Sequence, residues 1–397
     1  MKKSLSNAVR IGSLSIFAYL ASYVTRNILS VSTPEMIKES IFTKEYVGLL
    51  SSICFVFYAV GQLINGFAGD KIHPKYMIGT GFCVSGLFTI MMPLAYNKAF
   101  HCLCFAMIGY SLSMLRGPIT KVISESTDIK YARVICTLLN MAGFAGPVLA
   151  SILSLFFNWR AVFEISGAVT LAIGIINYIL ISVFSARGQI QFKKDTSKGI
   201  NKFFDVFKLD NLIFFMAMSA ISEVANTSVT FWIPTYAVEH LNFSSTNSSV
   251  IFSIISVSTL LAPFIALLIY NYIIRDAIKI SLFMYTISAV SFFLLSIISS
   301  PYVNIGVLLL ARLAACCASG IVWSVYIPSL SKSGKVASAN GVIDAAGYIM
   351  ASVSNAVSSG FLGLLGWKGM TIVWSMIMLF GAIIAVIKNC KMTVTDI

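Results

Sequence analysis

Apolar residues run through this chain in stretches long enough to cross a lipid bilayer. A crossing helix needs about 20 mostly apolar residues, because the hydrocarbon core is about 30 Å thick and each helical residue rises about 1.5 Å. Short polar connections separate the stretches, whereas a β-barrel would show weakly alternating segments of about ten residues. The sequence therefore predicts twelve transmembrane helices: 12–34, 46–69, 76–95, 99–123, 132–156, 160–183, 208–238, 246–272, 277–299, 302–328, 335–364 and 368–388.

Composition supports an all-α membrane protein. Of the 397 residues, 58% are hydrophobic and only 11% are charged, whereas soluble domains carry about 25% charged residues. The basic N-terminus followed by an apolar run resembles a signal peptide. That run contains Arg26 and Asn27, however, and no small-residue cleavage site closes it. We interpret it as the first transmembrane helix.

One long polar connection divides the chain. Residues 185–207 are rich in basic side chains and separate six predicted helices from six others. We therefore predict an N-terminal six-helix bundle at 1–184, a cytoplasmic linker at 185–207 and a C-terminal six-helix bundle at 208–397. The linker's basic residues are Arg187, Lys193, Lys194, Lys198 and Lys202.

Basic residues also predict the orientation of the chain. If the N-terminus is cytoplasmic, most of the 28 lysines and arginines fall on the cytoplasmic side, including Lys121 at the cytoplasmic end of the fourth span. This bias is typical of inner (plasma) membrane proteins, and it places both termini in the cytoplasm. The same bias explains the net charge of +13, because the basic segments face anionic lipid headgroups. A nucleic-acid partner is therefore not needed to explain the charge. The predicted outer side has only Lys38, Lys44, Lys98, Arg160 and Lys368.

The two halves repeat each other. The fifth span carries Asn-Met-Ala-Gly at 140–143, and the eleventh carries Asp-Ala-Ala-Gly at 344–347. A tryptophan and a basic residue follow each one, at 159–160 and 367–368. An offset of 200 pairs Tyr23 with Glu223, Arg26 with Asn226 and Asn27 with Thr227. Paired halves around a central site are typical of secondary transporters.

Enzymatic motifs are missing from the sequence. There is no P-loop, nucleophile elbow or zinc motif. The eight cysteines lie mostly in apolar runs, where they favour packing over metal binding or disulfides. We therefore predict a protein that is not an enzyme and has no cofactor or metal, with a transported proton as the one exception.

The end of the second span resembles the loop signature of the major facilitator superfamily. The segment 66–75 reads Gly-Phe-Ala-Gly-Asp-Lys-Ile-His-Pro-Lys. Asp70 and Lys71 occupy its key positions, and Lys75 the last basic position. The resemblance implies a fold of two pseudo-symmetric six-helix bundles. It also implies that Asp70, Lys71 and Lys75 form a gate that latches the cytoplasmic ends of the two halves.

Within that superfamily, the chain is most similar to the organophosphate:phosphate antiporters. The matching stretches are Tyr-Val-Thr-Arg-Asn at 23–27, with Pro34 after it, Trp-Ile-Pro-Thr-Tyr at 232–236, and Ala-Ser-Ala-Asn-Gly at 337–341 leading to Gly347-Tyr348 and Gly366-Trp367. In that family two arginines clamp the phosphate. Arg26 matches the first, and Asn226 stands at the second. Gln62, four residues after Tyr58, replaces a lysine, and Leu139 lies near the place of a histidine.

Arg26 is the first candidate site residue. A guanidinium in mid-membrane is expensive unless it faces a polar cavity, and it can bind a carboxylate or phosphate as a fork. Its polar neighbours at helical spacing are Tyr23, Asn27 and Ser30. We interpret this stripe as substrate-binding. The alternative is an internal ion pair that holds the halves together.

Glu223 is the second candidate. It begins a polar stripe that continues through Asn226 and Thr227, and pseudo-symmetry places this stripe opposite that of Arg26. Glu223 is then a proton carrier, a ligand for a cationic group of the substrate, or a static partner of Arg26.

Further polar residues complete the predicted site. Asp344 is a second proton-coupling candidate, and it either lines the cavity or pairs with a basic residue such as Lys332. For Arg116 and Arg312 we favour structural roles. The complete predicted substrate-binding set is Arg26, Tyr23, Asn27, Ser30, Tyr58, Gln62, Asn140, Asn226, Thr227 and Tyr348.

These features predict a monomeric secondary active transporter of a small organic anion, a carboxylate or phosphate ester, driven by protons or by exchange. With one cavity arginine instead of two, a monoanion or carboxylate is favoured over a phosphate dianion. The alternative is a transporter-like sensor that binds an organic anion and signals through a partner. Efflux of cationic drugs fits poorly, because Arg26 repels cations.

Overall fold

The computed structural model describes residues 2–39, 42, 44–94, 97–192 and 205–395. Twelve helices in these ranges are long and apolar enough to cross a membrane, which confirms the predicted all-α class and the number of spans. The predicted linker residues Lys193, Lys194, Lys198 and Lys202 lie outside the described residues.

The first six spans are continuous helices, and their bounds follow the apolar runs closely. Large apolar side chains remain exposed along them, such as Phe57 and Phe156, as expected for a surface that meets lipid rather than water. The helices are α1 (Lys2–Lys38), α2 (Lys44–Gly69), α3 (Pro74–Met91), α4 (Lys98–Ser126), α5 (Ile129–Phe156) and α6 (Trp159–Ala186).

The later spans are interrupted more often than the sequence predicts. The eighth breaks at Leu261, two residues before Pro263, because a proline ring cannot continue the hydrogen-bond ladder. The helices are α7 (Leu212–Val224), α8 (Thr230–Glu239), α9 (Ser245–Leu260), α10 (Ala262–Tyr272), α11 (Ala277–Leu295), α12 (Pro301–Ile321), the short α13 (Ile327–Ser329) and α14 (Val336–Thr395). The last two spans share α14, which bends at Gly366 with a left-handed φ of 64°.

Two wider π turns replace regular helix in the second half. One, Ala225–Val229, joins α7 to α8, and the other, Val322–Tyr326, joins α12 to α13. Such turns leave backbone carbonyls without their usual partners. Arg312 on α12 donates a hydrogen bond to the carbonyl of Ala225. This contact agrees with the structural role predicted for Arg312.

The chain forms two compact units. The first combines Met1–Lys208 with Ile327–Ala345, and the second combines Leu209–Tyr326 with Ala346–Ile397. The beginning of α14 therefore belongs to the first unit, although it lies far along the sequence.

Close helix contacts build the first unit. Helix α3 packs on α6, α2 on α4, and α1 on α5. Gly86 and Gly167 lie at the α3–α6 contact, where a Cβ atom on either residue would lie within 2.8 Å of the other's carbonyl oxygen. Small residues at such crossings bring two helix backbones together in lipid.

In the second unit, α11 packs on α12, and α12 on α10. The buried Tyr285 hydroxyl lies 2.6 Å from that of Ser222. The hydroxyl of Tyr236 donates to Asn304 Oδ1 at 2.8 Å. Pairing of buried polar groups is a strong requirement where water is excluded.

Candidate functional site

Arg26 lines a small cavity in the first unit, with room for about one water molecule. Its guanidinium carbon lies 4.5 Å from the ring centre of Tyr58, 5.1 Å from that of Phe55 and 5.6 Å from that of Tyr23. Aromatic faces attract cations. The charge is thereby stabilised while the side chain contributes to the cavity wall. The lining residues are Tyr19, Ser22, Tyr23, Arg26, Tyr58, Leu112, Leu115 and Arg116.

The polar side chains of α1 that line the cavity with Arg26 come before it in the sequence, whereas the predicted stripe also continued after it. The sequence favoured Asn27 and Ser30, which follow Arg26. The structure places Tyr19 and Ser22, which precede it, in the cavity wall. Long helical side chains point back toward the helix N-terminus, so the guanidinium meets the preceding turns.

Asn27, Ser30 and Gln62 do not line this cavity among the described residues. The amide of Asn27 donates to the Tyr23 carbonyl at 2.7 Å within α1, and Ser30 is exposed. Gln62 is buried, and its Nε2 has no hydrogen-bond partner among the described residues. A substrate role for these three residues stays a prediction.

Two glycines of α5 make room for Tyr23. A Cβ atom at Gly146 would lie 3.1 Å from Tyr23 Cα, and one at Gly143 would lie 3.2 Å from Tyr23 Cζ. The hydroxyl of Tyr23 also accepts a hydrogen bond of 3.4 Å from Tyr19. The ring that contacts Arg26 is therefore held by close backbone packing on one side and by a tyrosine pair on the other.

Arg116 brings a second guanidinium to the same cavity. Its Nη1 lies 2.8 Å from Asp344 Oδ1, and its Nη2 donates to Asn140 Oδ1 at 3.5 Å. The sequence suggested Lys332 as a partner for Asp344, but the partner is Arg116 on α4. Asn140 and Asp344, equivalent positions of the internal repeat, thus meet at one guanidinium. Arg116 was predicted to be structural, and its place in the cavity wall was missed.

Asp70 is the centre of a buried latch in the first unit. Its carboxylate accepts hydrogen bonds from Lys121 Nζ at 2.8 Å, from the Ala337 amide at 3.1 Å and from the Ser338 amide at 2.8 Å. Lys121 Nζ also donates to the Gly334 carbonyl at 3.0 Å. The carboxylate therefore neutralises a lysine and caps the positive end of α14.

Lys121, the basic residue that pairs with Asp70, was not among the gating residues predicted from the sequence. Lys121 was counted among the basic residues of the cytoplasmic side, but it lies inside α4 and is fully buried, because its ammonium reaches Asp70. Lys71 is exposed. Lys75 lies over the ring of Tyr76, with Nζ at 4.8 Å from its centre. Gating roles for Lys71 and Lys75 stay predictions.

His73 lies within the loop-signature segment and has its own contacts. Its Nδ1 accepts from the Lys75 amide at 3.3 Å, and its Nε2 lies 3.3 Å from Ser185 Oγ. Phe192 packs on the ring at 5.3 Å. Burial lowers the pKa of His73, and the positive charge of Lys75 lowers that pKa further.

In the second unit, Glu223 lies at the π turn. Its Oε1 accepts from Asn226 Nδ2 at 3.2 Å, and Asn226 Oδ1 lies 3.1 Å from Cys316 Sγ. The hydroxyl of Thr227 donates to the Glu223 carbonyl at 2.6 Å. Gly347 leaves space for the acid, because a Cβ atom there would lie 2.9 Å from Glu223 Cγ. The structure therefore brings the second predicted stripe together.

Two predicted relations stay open. Tyr348 is half-buried next to Gly347, and its substrate role is a prediction. Arg26 belongs to the first unit and Glu223 to the second, so their meeting across a cavity also stays a prediction.

Comparisons with known proteins agree on a family. The sequence profile of the Major Facilitator Superfamily matches residues 15–355. The structure is similar to a bacterial homologue of the iron transporter ferroportin in its outward-facing state, with a TM-score of 0.79 and 12% identity over 95% of this chain and 98% of that one. An identity this low bears on the fold alone.

Curated relatives match over shorter regions. A probable hexose phosphate transport protein of Chlamydia muridarum is 26% identical over 172 residues, which are 42% of this chain and 38% of that protein. A probable L-galactonate transporter of Escherichia coli K12 is 27% identical over 172 residues, which are also 42% of this chain and 38% of that protein. The membrane sensor protein UhpC of Escherichia coli K12 is 22% identical over 40% of this chain and 37% of that protein. The chain thus matches less than two fifths of the length of these relatives. A glycerol-3-phosphate transporter of Bacillus subtilis is 22% identical over 41% of this chain and 38% of that protein, and with the hexose phosphate transport protein it confirms the resemblance to organophosphate:phosphate antiporters.

Proposed function

This chain belongs to the Major Facilitator Superfamily, and from that premise we propose that it is a secondary active transporter of a small organic anion. The observation that carries the proposal is the Arg26 guanidinium in a cavity wall, stacked on aromatic rings. A membrane-embedded arginine is expensive and marks a functional site by default. Its fork of N–H donors matches a carboxylate or a phosphate.

The anion we favour is a carboxylate or another monoanion. The site residue equivalent to Arg26 in the second half is Asn226, so the repeat supplies only one arginine at these positions. One relative is named a probable L-galactonate transporter, and L-galactonate is a sugar-acid monoanion. Phosphate esters are the second class, since other relatives are named hexose phosphate transport proteins.

Alternating access would move this anion across the membrane. The two halves would rock about the bound substrate, and the Asp70 latch would form and break on the cytoplasmic side. Coupling would come from a proton on Glu223 or Asp344, or from exchange for a second anion. Both acids lie within membrane-spanning segments, where an ionisable group needs a function or a partner.

Uptake into proteoliposomes tests the proposal. We expect accumulation of labelled L-galactonate, glycerol 3-phosphate or a hexose 6-phosphate, and loss of that uptake in Arg26→Gln. Arg160→Gln is the matched control, because Arg160 forms an exposed ion pair with Glu39. If Arg26→Gln transported at the wild-type rate, the site assignment would be wrong.

A pH gradient tests the coupling. Proton coupling predicts that an inward gradient stimulates uptake, and that Glu223→Gln abolishes the stimulation. Glu239→Gln is the control, because Glu239 is an exposed acid. If the gradient has no effect and Glu223→Gln transports normally, proton coupling through Glu223 is excluded and exchange remains.

A membrane sensor is the second candidate function. It is favoured by the similarity to the membrane sensor protein UhpC. A sensor would bind the same anion through Arg26 and pass the signal to a partner protein. Ligand-induced thermal stabilisation without any uptake or exchange in liposomes would identify the sensor.

The topology and assembly are also proposals. The basic segments favour a cytoplasmic position for both termini in an inner (plasma) membrane, and we propose a monomer in contact with anionic lipid. Cys390 is exposed near the C-terminus. A membrane-impermeant maleimide should therefore label it in inside-out vesicles but not in intact cells, with Cys390→Ser as control.

A further inference from the structure

A cavity of about 150 Å³ lies in the second unit, between the end of α7 and the two arms of α14 on either side of Gly366. We propose that this cavity binds a small apolar molecule that carries one hydrogen-bond acceptor, such as an aromatic ketone. It is a different site from the anion site at Arg26, which belongs to the first unit. The inference therefore does not depend on the proposed function.

The size and the lining of the cavity select for a small apolar ligand. The wall is apolar except for two serines, and no charged side chain lines it among the described residues. A cavity of about this volume with an apolar wall stays dry and can bind a molecule of the size of benzene. An anion such as the proposed transport substrate would lose its hydration there without gaining a partner.

The indole of Trp374 brings an unpaired hydrogen-bond donor to this wall. Trp374 is 2% exposed, and its Nε1 has no hydrogen-bond partner among the described residues. A buried tryptophan usually finds an acceptor for its N–H group, because an unpaired buried donor is costly. A water molecule suits the position poorly, since it needs two to four polar partners. A ligand with one acceptor would pair the donor and fill the apolar space.

The groups around the cavity are already held in place by the protein. The Ser358 hydroxyl lies 2.6 Å from that of Ser228 and donates to the Ser354 carbonyl at 2.5 Å. Because Ser228 belongs to the π turn, these bonds fix the first arm of α14 against that turn. On the second arm, the Trp374 ring packs on Phe292 of α11, with 5.8 Å between the ring centres. A ligand would therefore meet a donor whose position is set in advance.

The cavity reaches the surface of the second unit through apolar side chains. Val353 is 49% exposed and Phe361 is 41% exposed, and both line the cavity. An apolar molecule that has partitioned into lipid gains nothing from water, so a rim of this kind suits its entry. The ligand class is thus a membrane-soluble carbonyl compound rather than a charged metabolite.

Two probes of the same shape test the role of the donor. The first, para-fluoroacetophenone, has a carbonyl oxygen, and the second, para-fluoro-α-methylstyrene, has a methylene group in its place. Binding is measured by fluorine NMR on the purified full-length protein in detergent, with protein-free detergent as the baseline. We expect both probes to bind, and the ketone to bind about fivefold more tightly, which is the typical contribution of one neutral hydrogen bond.

Three variants locate the site. Trp374→Phe keeps an aromatic ring but removes the N–H donor, so the ratio of the two affinities should fall to about one. Val373→Phe places a larger side chain in the wall, and the binding of both probes should fall by about tenfold or more. Trp367→Phe is the matched control, because Trp367 Nε1 lies outside the cavity and donates to Glu239 at 3.1 Å. This control should keep the wild-type ratio.

Several results would overturn the inference. They are equal affinities of the two probes for the wild type, no binding of either probe, or a changed ratio in the Trp367→Phe control. A wild-type ratio in Trp374→Phe would show that the acceptor pairs elsewhere, and wild-type affinities in Val373→Phe would place the probes outside this cavity. If Trp374→Phe does not fold, the wild-type ratio and Val373→Phe decide. None of these results bears on anion uptake through Arg26, which is tested separately.

Discussion

Removing the Asp70 carboxylate should destabilise the protein more than any other change in the loop signature. The carboxylate accepts hydrogen bonds from Lys121 Nζ and from the amides of Ala337 and Ser338. Asp70 and Lys121 are each no more than 1% exposed. Substitution by alanine therefore leaves two helix N-terminal amides without their acceptor, and it leaves the buried Lys121 ammonium with the Gly334 carbonyl at 3.0 Å and the Glu125 carboxylate at 3.8 Å.

The magnitude follows from these distances. At 2.8 Å and an effective dielectric constant of about 20, the pair attracts by about 6 kcal/mol, and desolvation offsets part of that. Breaking a buried pair by removing one partner costs about 3–5 kcal/mol. Loss of the helix cap adds about 1 kcal/mol. We expect Asp70→Ala to lower the free energy of unfolding by about 4–6 kcal/mol.

The assay is thermal unfolding of the purified protein in detergent, with three variants. Asp70→Ala should lower the apparent midpoint by roughly 5 °C or more. The midpoint of Asp70→Asn should lie between those of the alanine variant and the wild type, because the amide oxygen of asparagine still caps the helix. Lys71→Ala is the control, since Lys71 belongs to the same signature but is exposed. Equal midpoints for Asp70→Ala and Lys71→Ala would refute the reasoning.

Three further predictions test other parts of the structure. Gly146→Ala should reduce anion binding, because the added methyl group would push Tyr23 away from its place beside the cavity. The overpacking should cost about 1–3 kcal/mol. Unchanged ligand-induced stabilisation would contradict this prediction. Arg312→Gln should destabilise the protein by about 1–3 kcal/mol in thermal unfolding, because the Ala225 carbonyl in the π turn loses a charged donor; a wild-type midpoint would argue against this contact. His73 has a pKa below its ordinary value, so its contribution to stability is present above about pH 6.5 and is lost as the pH falls through the lowered pKa. Between pH 7.5 and pH 5 the wild type should therefore lose more stability than His73→Gln, and equal losses would exclude this role.

The sequence predicts the spans well because membrane crossing imposes a length and an apolar composition on each helix. The local breaks are harder to predict. Pro263 explains the interruption of the eighth span. No residue between 225 and 229 predicts the π turn found there. The first carbonyl of that turn, Ala225, accepts a hydrogen bond from Arg312, which lies 87 residues further along the chain.

The site is predictable where the polar pattern within a single span and the family resemblance are enough to select its residues. Arg26, Tyr23 and Tyr58 were expected in a cavity and are found in its wall. Arg116 was not predicted to line the cavity. Whether it does so depends on the position of α4 relative to α1, which the periodicity of the sequence does not specify. One general rule could have improved the prediction. Long side chains on a helix point toward its N-terminus, so the neighbours of the Arg26 guanidinium are expected near Tyr19 rather than near Ser30.

Long-range acid–base pairs were missed for a related reason. Sequence distance suggested Lys332 as the partner of Asp344, and the position at the cytoplasmic end of a span suggested a solvated Lys121. In the structure, α4 supplies the cation in both pairs, through Arg116 and Lys121. A basic residue in an apolar helix indicates that a partner exists, because burial without one is too costly. It does not indicate which acid that partner is.

The two pairs together suggest how substrate binding is communicated to the latch. Arg116 and Lys121 are five residues apart on α4, and their partners bind the same part of α14: Asp70 caps its first turn, and Asp344 lies about two turns later. Between them Asn340 Nδ2 donates to Thr120 Oγ1 at 3.1 Å. Helices α4 and α14 are therefore joined by two direct polar contacts and by one that passes through Asp70, and the contact at Arg116 is the one of these three that reaches the cavity. Loss of the contact between Arg116 and Asp344 would leave α14 joined to α4 by the Asn340–Thr120 hydrogen bond and through Asp70. A change of partner at Arg116 would then act on the latch through one rigid helix, and no wider network of coupled side chains is needed.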